Sequence, residues 1–166
     1  MEIHRLTEES PEWLAKGYDY IRTDAFCFGQ NIPIEIEFAH DGSKEELKAV
    51  ILIEDHKPVA GCRIRFPKAG VGKIERVCTI REKQKAGYGR VLMAEAEKWI
   101  AEHGAKHIVI TSQDRAAGFY EKIGYVKNPD VSPSEYENHR PPKEERENRP
   151  KPNLGFSVVM VEKYLP

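Results

Sequence analysis

The feature that most constrains the chain is the stretch Gln84-Lys85-Ala86-Gly87-Tyr88-Gly89-Arg90. It lies between an apolar run, Ile74 to Ile80, and a helical pattern that continues to His103. Two glycines flank one residue where a helix would begin, so backbone N–H groups can converge on one spot with no Cβ in the way. Unpaired first-turn amides and the positive end of the helix dipole favour phosphate oxygens there, and Lys85 and Arg90 add mobile positive charge. A Gly-x-Gly pair alone also describes a plain turn between strand and helix. No Gly-Lys-Ser/Thr follows the required spacer, which excludes the triphosphate-binding loop. Val91 and Leu92 break the dinucleotide pattern Gly-x-Gly-x-x-Gly.

The elements around this loop follow from periodicity. Val91, Leu92, Ala96, Trp99 and Ile100 make a helical stripe with Gly104 as its C′ residue, and His107 to Thr111 reads as a short buried strand. Strand, loop, helix and strand imply a right-handed crossover joining two parallel neighbours. Upstream, Ala49 to Glu54 and Val59 to Phe66 are β-branched runs joined by a turn at Asp55-His56-Lys57-Pro58, and Lys73 to Ile80 is a third strand. Arg63 and Arg65 alternate with Ile64 and Phe66, which predicts one buried and one charged face. Glu2 to Leu6 reads as a strand. Ser10 as N-cap and Pro11 in the first turn then open a helix whose apolar face is Trp13, Leu14, Gly17, Tyr18, Ile21 and Ala25. Residues 28–41 read as a loop with room for a helical turn, Ala116 to Ile123 as a short helix ending at Gly124, and Gly155 to Tyr164 as a closing strand.

Lys127 to Asn153 differs in kind. Six of the eleven prolines fall there (Pro129, Pro133, Pro141, Pro142, Pro150 and Pro152), with dense charge from Arg140 to Lys151. The segment is expected to be an inserted surface loop outside the core, disordered or held by a partner. The whole chain, 1–166, is expected to be one domain. A net charge of −1 provides no global basic field, so nucleic acid is not an expected partner. Cys27, Cys62 and Cys78 lack paired spacing and read as reduced thiols, and no apolar segment reaches membrane-spanning length. These traits predict a soluble cytoplasmic protein with no membrane partner. They leave a homodimer open. The six histidines show no ligand spacing, so no metal is expected.

Two motifs in order carry a family resemblance. Gln84, Gly87 and Gly89 match Gln/Arg-x-x-Gly-x-Gly/Ala, and Gln113, Ala116, Tyr120 and Gly124 are similar to Asn-x-x-Ala-x-x-x-Tyr-x-x-x-Gly. Both are signatures of the GCN5-related N-acetyltransferases (GNAT). Phe26, Gln30, Pro33, Pro58-Val59-Ala60-Gly61 and Glu75-Arg76-Val77 further resemble the small bacterial ElaA/YjcF-like branch. The resemblance implies an α/β (α+β) GNAT-like mixed sheet, mostly antiparallel with a central parallel pair, flanked by helices. It implies acetyl-coenzyme A (acetyl-CoA) as cosubstrate and an amine-bearing small molecule or peptide as acceptor. Val77, Cys78 and Thr79 would meet the pantetheine arm. Gln84, Lys85, Ala86, Gly87, Tyr88, Gly89 and Arg90 would cradle the pyrophosphate, with Gln113, Ala116 and Tyr120 closing the site.

Tyr120 holds the family's general-acid position and would protonate the departing thiolate. Glu75, two residues before Val77 on the same strand face, is the candidate base; pairing with Arg63 or Arg76 is the competing use of its carboxylate. The alternative function is a non-catalytic acyl-CoA-binding sensor or interaction module on the same fold.

Overall fold

The computed structural model describes residues 1–39, 41–136 and 154–166. One seven-stranded sheet organises them, in the order β1-β2-β3-β4-β5-β7-β6. The strands are β1 (Glu2–Leu6), β2 (Ala49–Glu54), β3 (Lys57–Lys68), β4 (Val71–Thr79), β5 (His107–Gln113), β6 (Val126–Lys127) and β7 (Val158–Tyr164). Every neighbouring pair is antiparallel except β4 and β5. The helices are α1 (Glu12–Arg22), α2 (Ile34–Glu37), α3 (Tyr88–Glu102) and α4 (Ala117–Lys122). The mixed sheet and its central parallel pair are as the sequence predicts.

Asp55 and His56 both take positive φ (51° and 64°), giving the mirror-image two-residue turn that suits the twist of the β2–β3 hairpin. Helix α3 buries Leu92, Met93, Ala96, Trp99 and Ile100 against one sheet face. Helix α1 covers part of the other, where Tyr18 lies over Gly61. It continues as a π-helical turn over Thr23–Phe28.

Several expectations need correction. Ser10 does not cap α1; its hydroxyl accepts the Thr7 N–H at 2.9 Å, and Pro11 precedes the helix. Trp13 is 54% exposed and lies edge-on to His4 instead of joining the apolar face. The Arg63 and Arg65 face is not solvated: both are about as buried as core residues, at 4% and 5% exposure. The inserted segment is tied to the sheet at several of its first ten residues. Lys127 pairs with Val161, the Asn128 N–H bonds Met160 O, and Val131 and Tyr136 pack on Val71, Val109 and Met160. Residues 137–153 of that expectation lie outside the described ones.

Candidate active site

The site begins with a defect in β4. Gly61 pairs with Cys78 and Arg63 with Glu75, so β4 takes three steps where β3 takes two. The extra residue is a bulge, and Arg76 sits there with φ 56°. On its other edge β4 pairs with β5 only as far as Lys73↔Val109. Beyond that point the parallel strands separate, leaving Ile74 to Thr79 with no β5 partner and a wedge between the strands.

A cavity of about 730 Å³ occupies the upper part of the wedge. Its walls are Val77–Thr79 of β4, the loop 83–90, Ala25 and Phe26 from the π-helical turn after α1, Gln30 just beyond it, and Ala116, Phe119, Tyr120 and Lys122. All of the residues expected to hold the coenzyme line it except Gln113. Within the loop, Lys85 and Gly87 have φ of 63° and 87°, and Gly87 is the N-cap of α3 without a side-chain cap bond. The first amides of α3 are therefore left to whatever sits above them. Gln84 Nε2 donates to Thr79 O at 3.3 Å and closes the loop on the strand end. Tyr88 donates its hydroxyl to Glu54, tying the start of α3 to the end of β2.

Lys83, Lys85, Arg90 and Lys122 line this cavity and, among the described residues, no carboxylate does, which suits a ligand with several phosphates. Lys83 and Lys122 went unnoticed in the sequence because neither occupies a signature position. The fold brings α4 beside the start of α3, which is the only signal that would have placed Lys122.

A second cavity, of about 790 Å³, lies lower in the wedge. It shares Phe26, Gln30, Val77, Ala116 and Tyr120 with the first, so Tyr120 stands where the two meet. Gln113 belongs to this second cavity. Its Nε2 donates to Gln30 Oε1 at 2.8 Å, and Arg115 donates to both glutamines at 2.7 and 2.9 Å. Tyr120 is 6% exposed, and no described residue hydrogen-bonds its hydroxyl. Burial raises its pKa, so the phenol keeps its proton near neutral pH.

Glu37, Arg63, Arg65, Lys73, Glu75 and Arg76 line the second cavity, and Arg22 and Asp41 bond to them from behind. Arg22, 1% exposed, donates to Glu37 Oε1 at 3.1 Å and to both Asp41 oxygens at 2.8 and 2.9 Å. Arg63 reaches Asp41 at 2.8 Å and Glu75 at 2.7 Å, and Arg65 also bonds Glu75. Arg76 pairs with Glu37 at 2.8 Å. Burial alone would push the Glu75 carboxyl up, but Arg63, Lys73 and Arg65 overcome it and hold the pKa at about 2. A carboxylate this weakly basic is poorly matched to taking a proton from an amine near neutral pH, which opposes the base role expected of Glu75.

The acetyltransferase (GNAT) family model matches residues 7–125. The uncharacterized N-acetyltransferase YjcF of Bacillus subtilis (strain 168) is 36% identical over 106 residues, 64% of this chain and 74% of YjcF. The crystal structure of Escherichia coli ElaA superposes with a TM-score of 0.72 at 17% identity, over 98% of each chain. N-acetylglutamate synthase from Neisseria gonorrhoeae, complexed with coenzyme A and N-acetyl-glutamate, superposes with a TM-score of 0.65 at 18% identity, over 100% of this chain and 36% of its own. At such identities these two structures share the fold with this chain.

Proposed function

The chain belongs to the acetyltransferase (GNAT) family, and from that premise we propose that it moves an acetyl group from acetyl-CoA to an amine held in the second cavity, with Tyr120 as general acid. The observation that carries this reading is the position of Tyr120, in the wall of both cavities at once. The second cavity, which shares Phe26, Gln30, Val77, Ala116 and Tyr120 with the first, gives an acceptor a place beside the coenzyme.

In this reading the loop 84–90 receives the pyrophosphate. Gly87 supplies the turn, and Lys83, Lys85, Arg90 and Lys122 supply counter-charge. The pantetheine arm runs down the wedge beside Val77, Cys78 and Thr79, whose β5-facing edge has no strand partner. A backbone N–H on that edge can donate to the thioester oxygen as negative charge develops there. The amine nitrogen attacks the carbonyl carbon, the carbon–sulfur bond breaks, and the thiolate takes the Tyr120 proton. The proton leaving the amine goes to water, since Glu75 is committed to cations.

A phenol with a raised pKa is a reluctant donor in water, but the thiolate forms in the same surroundings. Burial pushes the nearby Cys62 thiol up to about 12. A thiolate formed beside Tyr120 would be destabilised in the same sense, so burial raises donor and acceptor together and does not by itself widen the gap between them.

The reading is tested by following coenzyme A thiol release from acetyl-CoA on adding amines to the purified chain. Amine-dependent release is expected. Coenzyme A binding with no release for any of a broad set of amines would leave the non-catalytic alternative in its place.

A further inference from the structure

Strand alternation puts the floor of the second cavity on one sheet face. Arg63 pairs with Glu75, Arg65 with Lys73, and Lys73 with Val109, so Thr111, two residues further along β5, points the same way. Lys73 is 7% exposed and lines the cavity. Among the described residues its one ion pair is to Glu75 Oε2, at 3.5 Å. The other oxygen of that carboxylate already accepts from both Arg63 and Arg65, which also reach Asp41 at 2.8 Å and Glu46 at 3.7 Å respectively. Glu37 and Asp41 are committed to Arg22, Arg63 and Arg76. The Thr111 hydroxyl, in the same cavity wall, has no hydrogen-bond partner among the described residues.

An ammonium in the cavity wall with one long contact, and a buried hydroxyl in the same wall with none, leave donors for whatever occupies the cavity. Buried charges in proteins are otherwise paired and hydrogen-bonded, because leaving them incomplete is costly. The oxygens of an anionic group would complete both. We propose that this cavity selects acceptor amines that carry a carboxylate or phosphate, with Lys73 and Thr111 binding that group; the proposal rests on the acetyl-transfer reading above.

The spacing sets the acceptor's length. Val77, which lines both cavities with Tyr120, is four residues from Lys73, but the bulge at Arg76 shortens the backbone span to roughly 10 Å at ~3.3 Å per extended residue. The lysine chain, turned toward Glu75, shortens that gap. The nitrogen and the acid group are therefore separated by several bonds, as in an ω-amino acid or an aminoalkyl phosphate. The cationic floor has a second effect, since nearby positive charge disfavours the protonated amine and so favours the nucleophilic form.

The experiment compares paired amines that differ only in the distal group: 5-aminopentanoate against 5-amino-1-pentanol, and 5-aminopentyl phosphate against the same alcohol. The readout is kcat/KM at saturating acetyl-CoA. Wild type is expected to prefer an acid-bearing member at least tenfold, and which arm shows the preference identifies carboxylate or phosphate. In Lys73→Met that ratio is expected to fall to within about threefold of one, and in Thr111→Val to fall severalfold, with thermal melting as the check on folding. Equal use of both members by wild type, or a preference that survives Lys73→Met, overturns the proposal.

If no amine is turned over, each pair is titrated into coenzyme A-saturated protein. Tighter binding of the acid-bearing member that is lost in Lys73→Met sustains the anion site while the transfer reading fails. Absence of that difference overturns the anion site as well.

Discussion

Gly87 and Gly89 stand two residues apart and do different jobs. A Cβ on Gly87 would meet open space, but its φ of 87° is a conformation that residues with a Cβ adopt at a cost. A Cβ on Gly89 would lie 2.9 Å from Phe119 Cζ, so the Phe119 ring of α4 would have to shift to admit it. The sequence alone assigns both to the anion site. Only the fold separates a backbone requirement from a packing one. Gly87→Val should fold and lose coenzyme A affinity by about 30-fold, from ~2 kcal/mol of backbone strain and lost phosphate space. Calorimetric titration checks it, and an unchanged affinity in a folded variant would remove Gly87 from the phosphate site. Phe26 and Gln30 show the limit of reading residues singly. They were legible as part of a branch resemblance, but not as walls of the site, because a π-helical turn after α1 is what carries them there.

Between elements, the least legible feature was the charged face of β3 and β4. Alternating arginines in a strand ordinarily mark a solvated face, and that expectation failed because α1, α2 and the residues after α2 close over this one. Arg22 and Glu37 come from those helices, Asp41 from the chain beyond, and no local pattern links them to Arg63 or Glu75. The network makes stability depend on acid.

Glu75 has a folded-state pKa of about 2, below its usual 4.5, so the unfolded chain binds this proton more readily. Its contribution is therefore fully present above about pH 4.5 and is lost as pH falls toward 2. A shift of that size corresponds to about 3 kcal/mol. Denaturant unfolding between pH 7 and pH 3 should show wild-type stability falling more steeply below about pH 4.5 than that of Glu75→Gln, which has no carboxyl to titrate. Parallel pH profiles would mean that Glu75 is not held by its cations.

For the molecule as a whole, the strand order around the glycine loop was legible because each strand and helix there carries its own periodicity and its own turn. The wedge was not. It arises where β4 bulges at Arg76 and leaves β5 after Lys73, and nothing in Val71 to Thr79 announces a bulge. The inserted segment was misread at its start for a related reason. Tyr136 stands out in the sequence as a large apolar side chain, but its packing place does not: with Val131 it meets an apolar patch on β4, β5 and β7 that exists only once those strands are side by side. The functional reading likewise depends on assembly, since Tyr120 matters for standing where two cavities join.

The most direct measurement of that claim is single-turnover acetyl transfer by Tyr120→Phe, which removes the hydroxyl and keeps the ring in its packing against Phe119 and Tyr125. With saturating acetyl-CoA and the best amine, the variant should fold and bind coenzyme nearly as wild type while the chemical step slows by about 10²-fold. A chemical step within about threefold of wild type would contradict the general-acid role and leave Tyr120 as part of the core.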